Sequence, residues 1–110
     1  MKTTFSREEL CRAWLQCADP LSWRVREAML MYFGSAEEIY DQLGGAMLAI
    51  AGEKGYASMV HLKNQGLHAL EEKLHQHSIS VAIRGREGYP TLLNEIPDPP
   101  HALFVRGVMN

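Results

Sequence analysis

The chain has 110 residues, 46% of them apolar and 22% charged, with a formal net charge of −2. That length suits one modest core without disulfides or metal. The composition excludes a disordered chain, a collagen and a secreted disulfide scaffold.

The opening MKTTFSREEL carries no apolar stretch after its lysine, so it does not read as a secretory signal. The longest apolar run, Ala46 to Ala51, is far below the roughly 18 residues that span a bilayer. A soluble, cytoplasmic protein is expected. Residues 1–34 carry five basic and four acidic groups, 35–78 three and six, and 79–110 three of each. No third is basic enough to bind nucleic acid by phosphate neutralisation alone.

Ser6-Arg7-Glu8-Glu9 fits a capping box and predicts a helix start. Leu10, Ala13, Trp14 and Cys17 then follow at i, i+3, i+4 and i+7, with Arg12 and Gln16 turned to water. Asp19-Pro20 reads as an N-cap with proline at the first helical position, opening a second helix that runs to Phe33. Leu21, Val25, Met29 and Phe33 share its face, and Gly34 suits the left-handed closure. Ser35-Ala36-Glu37-Glu38 starts a third helix with Ile39, Tyr40 and Leu43 inward, ended by Gly44-Gly45. Ala46 to Ala51 reads as a buried helical turn at the centre of a small bundle. From about Tyr56 to His75 the stripe Tyr56, Met59, Val60, Lys63, Leu67, Leu70 and Leu74 predicts the longest helix, with a bend or close crossing at Gly66.

After His77 the period changes. Ile79, Val81 and Ile83 alternate with Ser80, Ala82 and Arg84, which predicts a strand. Arg84 to Gly88 is turn-rich, Tyr89-Pro90 opens a brief helical turn, and Pro97-Asp98-Pro99-Pro100 favours extended backbone. His101 to Arg106 is a second strand, and its nearly continuous apolar run predicts cover on both faces. Two strands alone are marginal in water. They are expected to pair with each other, to pair with a second copy, or to pack on the long helix.

Chemistry is sparse. His61, His68 and His75 recur every seven residues, but successive rings are about 10.5 Å apart along a helix axis, too far for one zinc ion. Glu71 with His75 is the pair whose spacing fits metal on a helix, and a solvated polar stripe is the favoured reading. No metal and no cofactor is expected. Cys11 and Cys17 fall on different helix faces about 9 Å apart along the axis, cannot bond to each other, and read as buried structural thiols. The motifs GxSxG, HExxH, GxxxxGK[ST] and GxGxxG are missing. Glu37-Glu38 and Glu71-Glu72 splay and stay ionised. No acid, base or nucleophile constellation stands out, so neither enzymatic activity nor a small-molecule substrate is expected. Arg84, Arg86 and Arg106 flank the strand ends as candidate phosphate contacts, offset by Glu87, Glu95 and Asp98. Trp14 and Trp23, at helical spacing among aliphatics, read as core.

The segment Gly88-Tyr89-Pro90-Thr91-Leu92-Leu93-Asn94-Glu95-Ile96-Pro97-Asp98-Pro99-Pro100, followed by Leu103-Phe104-Val105-Arg106-Gly107, closely resembles the "YPxLLxEIxDPPxxLFxxG" stretch of the DNA-processing protein A family, DprA/Smf. Upstream, Phe33-Gly34-Ser35-Ala36-Glu37-Glu38 resembles that family's "FGSxEE" helix junction. The positions that carry the resemblance as structural residues are Phe33, Gly34, Tyr89, Pro90, Leu93, Ile96, Asp98, Pro99, Pro100, Phe104 and Gly107.

The resemblance implies a mainly α chain with a small β element, an α+β class. Residues 1–78 would form a helical domain akin to sterile-alpha-motif (SAM) or helix-hairpin-helix (HhH) folds. Residues 79–110 would be the two-stranded start of a truncated extended Rossmann domain with a larger parallel sheet. It further implies single-stranded DNA and the RecA recombinase as partners of the whole protein in natural transformation, with the family's phosphate site beyond Asn110. Cys17-Ala18-Asp19-Pro20-Leu21 departs from the family's glycine hairpin, which presents backbone N–H groups to phosphate. The expected role is therefore an accessory module acting by protein contact or self-association, including a homodimer. The alternative is weak single-stranded DNA binding through Arg84, Arg86 and Arg106, with Tyr89 stacking on a base.

Overall fold

The computed structural model describes residues 5–106. Helix α1 (Arg7–Cys17) begins as the capping box requires, with the Ser6 hydroxyl accepting from the Glu9 N–H at 3.1 Å and the Glu9 carboxylate accepting from the Ser6 N–H at 2.9 Å. Helix α2 (Trp23–Phe33) closes at Gly34, whose φ of 94° places it in the left-handed region that a side chain disfavours. Helix α3 (Ala36–Asp41) follows at once, its first turn capped by the Ser35 hydroxyl. Helices α4 (Gly45–Gln65) and α5 (Leu67–Gln76) complete the helical part. Strands β1 (Ile79–Ile83) and β2 (Ala102–Arg106) pair antiparallel, with Ile79 opposite Arg106 and Ile83 opposite Ala102. A 3₁₀ turn over Thr91–Glu95 lies between them. The chain is thus mainly helical with a two-stranded antiparallel sheet, an α+β arrangement. No helix of the described residues is long and apolar enough to cross a membrane.

Several local expectations are corrected. Asp19 and Pro20 do not start α2; they form a turn with a cis peptide bond, and Ser22 is the cap. The reason is tertiary, because the carbonyls of residues 15–21 are drawn together by Arg26, and a helix over residues 19–21 would turn them along its own axis. The segment Ala46 to Ala51 is not a separate buried turn. It is the start of α4, which kinks at Gly52 (φ 81°) and buries only Met47 there, leaving Ala46, Leu48 and Ala49 exposed. The long helix expected from Tyr56 to His75 is two helices, broken at Gly66 (φ 91°, ψ 151°), where only a bend was expected. Strand β2 is fully covered on neither face: Ala102 is buried but Phe104 and Arg106, on the same face, are exposed, and Leu103 and Val105 on the other face are half-buried. Its apolar run therefore did not report two-sided cover.

Helix α1 lies between two cores. Trp14 and Leu15 join Met29, Ile39, Met47 and Met59 from α2, α3 and α4. Leu10 and Ala13 join Leu74 of α5 with Val81, Ile83 and Ala102 of the ribbon. The two strands, marginal alone, gain stability by laying one face on α1 and α5. Gly55 allows α4 to approach the turn before α2, since a Cβ there would lie 2.5 Å from Leu21 Cδ2.

Two buried charges fix the helix ends. The Arg26 guanidinium donates to the carbonyls of Leu15 (2.9 Å), Gln16 (3.1 Å), Ala18 (2.7 Å) and Leu21 (2.8 Å). These include two last-turn α1 carbonyls, that of Gln16 and that of Leu15, the latter also accepting from the Ala18 N–H, and a cation is favoured at that negative helix end. Burial pushes the Arg26 pKa down, yet a guanidinium remains charged at neutral pH. Reciprocally, the buried Glu8 carboxylate accepts from the first-turn N–H groups of α3, Ala36 at 3.0 Å and Glu37 at 2.9 Å, while Arg12 donates to it at 3.0 Å. Replacing Arg26 by Ala strands several buried carbonyls and is expected to cost about 3 kcal/mol or more in urea unfolding. Lys at this position is expected to recover only a minor part, because a point ammonium cannot span the four acceptors.

Candidate functional site

The strongest convergence of polar side chains joins α2 to the segment leading into β2. Trp23 and Glu27 are four apart on α2 and so share a face. The indole of Trp23 stacks on the His101 ring, with centroids 4.9 Å apart and planes at 19°, and its N–H donates to the Pro99 carbonyl. Glu27 Oε1 lies 2.8 Å from His101 Nε2 and 3.4 Å from an Arg84 guanidinium nitrogen. That guanidinium sits over the Trp23 ring at 5.6 Å. A cleft of about 200 Å³ is bounded here by Arg12, Glu27, Leu30, Met31, Arg84 and His101.

His101 is only 2% exposed. Its carboxylate partner assigns the proton to Nε2, so Nδ1 carries a lone pair, and that atom is buried with no partner among the described residues. Burial pushes the His101 pKa below its ordinary value, against an opposing lift from Glu27. With Nε2 occupied and Nδ1 shut in, this histidine holds α2 to the ribbon and leaves no nitrogen open to a substrate. Tyr89 strengthens the same seam: it is 6% exposed and its hydroxyl donates to the Pro100 carbonyl at 2.7 Å.

The nucleic-acid candidates do not converge. Arg84 follows the last residue of β1, and its backbone faces His101, whereas Arg106 pairs opposite Ile79 at the other end of the ribbon. Five strand steps separate the two ends, roughly 16 Å. Arg86 is exposed in the turn between. Tyr89 is enclosed by its own loop, so its ring does not present a stacking face in this arrangement.

Of the motif positions, Tyr89, Pro99 and Pro100 form the seam, and Phe33 is half-buried before Gly34. Leu93 is half-buried, while Pro90, Ile96, Asp98 and Phe104 are exposed. Gly107 lies outside the described residues. Trp14 is core as expected, its N–H donating to the Met59 carbonyl at 3.1 Å. Trp23 is half-buried and belongs to the seam.

The remaining candidates are surface features. His61 contacts Gln65, while His68 approaches Glu72 at 3.6 Å and His75 approaches Glu71 at 3.9 Å. The His68–Glu72 pair has the same i,i+4 spacing as His75–Glu71. Among the described residues no group of three metal-ligating side chains converges. Cys11 is buried and its thiol is pushed up to about 12, chiefly by desolvation. Cys17, expected to be buried, is exposed where α1 ends.

Sequence reasoning missed Glu8, Arg26, Glu27 and His101. A signal existed for two of them. Arg26, Met29 and Phe33 stand at i, i+3 and i+7, as do Glu8, Cys11 and Leu15, so each charge lies on an apolar stripe. Nothing local links Glu27 to His101, 74 positions away.

Two measurements check this site. His101 binds its proton less tightly folded than unfolded, so its contribution to stability is full above about pH 6.5 and is lost as pH falls from there through the lowered folded value. Thermal unfolding at pH 7.5 and 5.0 is expected to show a drop that His101→Gln largely removes. In native protein, N-ethylmaleimide is expected to label the exposed Cys17, slowed by the desolvation that raises its thiol pKa, and to label Cys11 only after unfolding, read by peptide mass mapping. No family model, curated protein or solved structure matches the chain.

Proposed function

We propose that this chain is the N-terminal accessory region of a DprA/Smf-like DNA-processing protein, acting in the cytoplasm without catalysis of its own. In this reading residues 1–78 are the SAM- or HhH-like bundle, and the ribbon is the start of a Rossmann-type domain. Single-stranded DNA and RecA are then partners of the whole protein, and this region contributes protein contact or self-association. Two features support the family reading: the density of the motif over residues 88–106, and the use of its Tyr89, Pro99 and Pro100 to close the seam.

The observation that carries protein contact over DNA contact is the fate of the arginines. Arg7 is committed to Asp41 at 2.7 Å, Arg12 to Glu8, Arg26 to four carbonyls and Arg84 to Glu27. Those guanidinium groups are drawn into intramolecular bonds, and the exposed arginines among the described residues, Arg24, Arg86 and Arg106, come from three different parts of the fold, α2, the turn after β1 and the end of β2, which does not favour the dense basic face that phosphate binding needs. Meanwhile Met31 (77% exposed), Tyr32 (73%) and Leu92 (74%) stand in solvent, and both outer strand edges of the ribbon are unpaired among the described residues. Exposed apolar side chains and open edges are what a protein partner or a second copy would cover.

Fluorescence anisotropy with labelled oligo-dT at about 50 and 200 mM salt, paired with analytical ultracentrifugation, separates the readings. Accessory action predicts no binding below about 100 μM at either salt, together with self-association that Met31→Lys or Phe104→Lys weakens. Micromolar binding that falls by orders of magnitude with salt and is lost in the Arg84, Arg86, Arg106 triple Ala variant would favour the DNA-binding alternative.

A further inference from the structure

The break between α4 and α5 has a consequence independent of the DNA-processing reading. At Gly66 the chain turns without continuing the helix, and side chains of α4, α5 and α1 border a hollow there. A cleft of about 570 Å³ results, within the range of roughly 300–1,000 Å³ typical of small-molecule sites. Its walls are Trp14, Leu62, Leu67 and Leu70, and its polar groups are Gln65, Cys17 and Lys73. Trp14 already satisfies its N–H at the Met59 carbonyl, so its ring offers the cleft only apolar surface.

The charge is one-sided. Lys73 lines the cleft, and no carboxylate among the described residues does. Burial raises the Cys17 thiol pKa while Arg26 and Lys73 pull it down and Asp19 pushes it up, which puts Lys73 and the exposed thiol in one neighbourhood, with Arg26 and Asp19 acting from outside the cleft. From Lys73 back to Gly66 along α5 is about 10 Å. An apolar trough of that length with a single cation towards one end matches a linear molecule with an acid head and a hydrocarbon tail.

We propose that the α1–α4–α5 cleft binds a small aliphatic carboxylic acid, with its carboxylate on Lys73 and its chain along Leu70, Leu67 and Leu62 against Trp14. The tail is held by burial of apolar surface, and the head by one charge-assisted hydrogen bond in a partly dry setting.

Cys17 serves as the reporter. The full chain is treated with N-ethylmaleimide in the presence of decanoate or of decyltrimethylammonium, which has the same tail and the opposite charge. Decanoate is expected to slow Cys17 alkylation at millimolar concentration, and the cation to do so at least about tenfold less effectively. Lys73→Met is expected to raise the decanoate concentration needed by about tenfold. Ala69→Trp, which fills the cleft from an exposed position, is expected to abolish protection with helicity by circular dichroism unchanged. The proposal is overturned if decanoate gives no protection of the wild-type chain, if both probes protect equally, or if Lys73→Met leaves the decanoate response intact. The first two outcomes are read on the unsubstituted protein, so a misfolded variant does not obscure them.

Discussion

The packing of the helices depends on a buried guanidinium. Arg26 sits on α2 and hydrogen-bonds carbonyls from the end of α1 and from the turn that joins the two helices. A helix C-terminus leaves four carbonyls without partners, and burying them in a small core would be costly. One planar cation resolves the problem and fixes the direction in which the chain re-enters the bundle. Glu8 does the converse at the start of α3, supplying a carboxylate where unpaired N–H groups and the helix dipole favour negative charge. Because Glu8 is also held by Arg12, helix α1 sends one charge to α3 and receives another from α2. These polar anchors specify the angles at which Trp14, Met29, Ile39 and Met59 can meet.

The ribbon is attached by different means. Apolar side chains of β1 and β2 lie on Leu10, Ala13 and Leu74. The loop between the strands is held by stacking and hydrogen bonds at Trp23, Glu27, Tyr89 and His101. An imidazole is well suited to that place, since its flat neutral form packs against indole while one nitrogen serves the carboxylate. The same choice makes the seam sensitive to protons, because a second proton would put a buried charge on the ring with no acceptor for it at Nδ1 among the described residues.

Charge use separates the interior of this protein from its surface. Arg12, Arg26 and Arg84 serve helix ends and the seam, while Arg24, Arg86 and Arg106 and large apolar side chains such as Met31, Tyr32 and Leu92 remain in water. The cleft at Gly66 adds a separate, concave apolar feature with one cation, of a size suited to a small molecule.

The local punctuation was legible in the sequence. Ser6 and Ser35 caps, the Gly34 stop, the change from helical to strand period near residue 78 and the proline-rich approach to β2 all act within a few residues, through hydrogen bonds and backbone sterics that sequence spacing encodes. Tertiary structure decided the rest. The start of α2 moved from Asp19 to Ser22 because Arg26 gathers carbonyls from separate segments. Helix α4 absorbed the apolar run at Ala46 because a kink at Gly52 lets it continue. The arginines expected near one site were separated by strand register, since antiparallel pairing places Arg84 and Arg106 at opposite ends. Glu27 and His101 met across 74 positions, a distance over which no periodicity carries information. Sequence fixes what a residue can bond to nearby, and only the packed chain determines which distant group arrives to meet it.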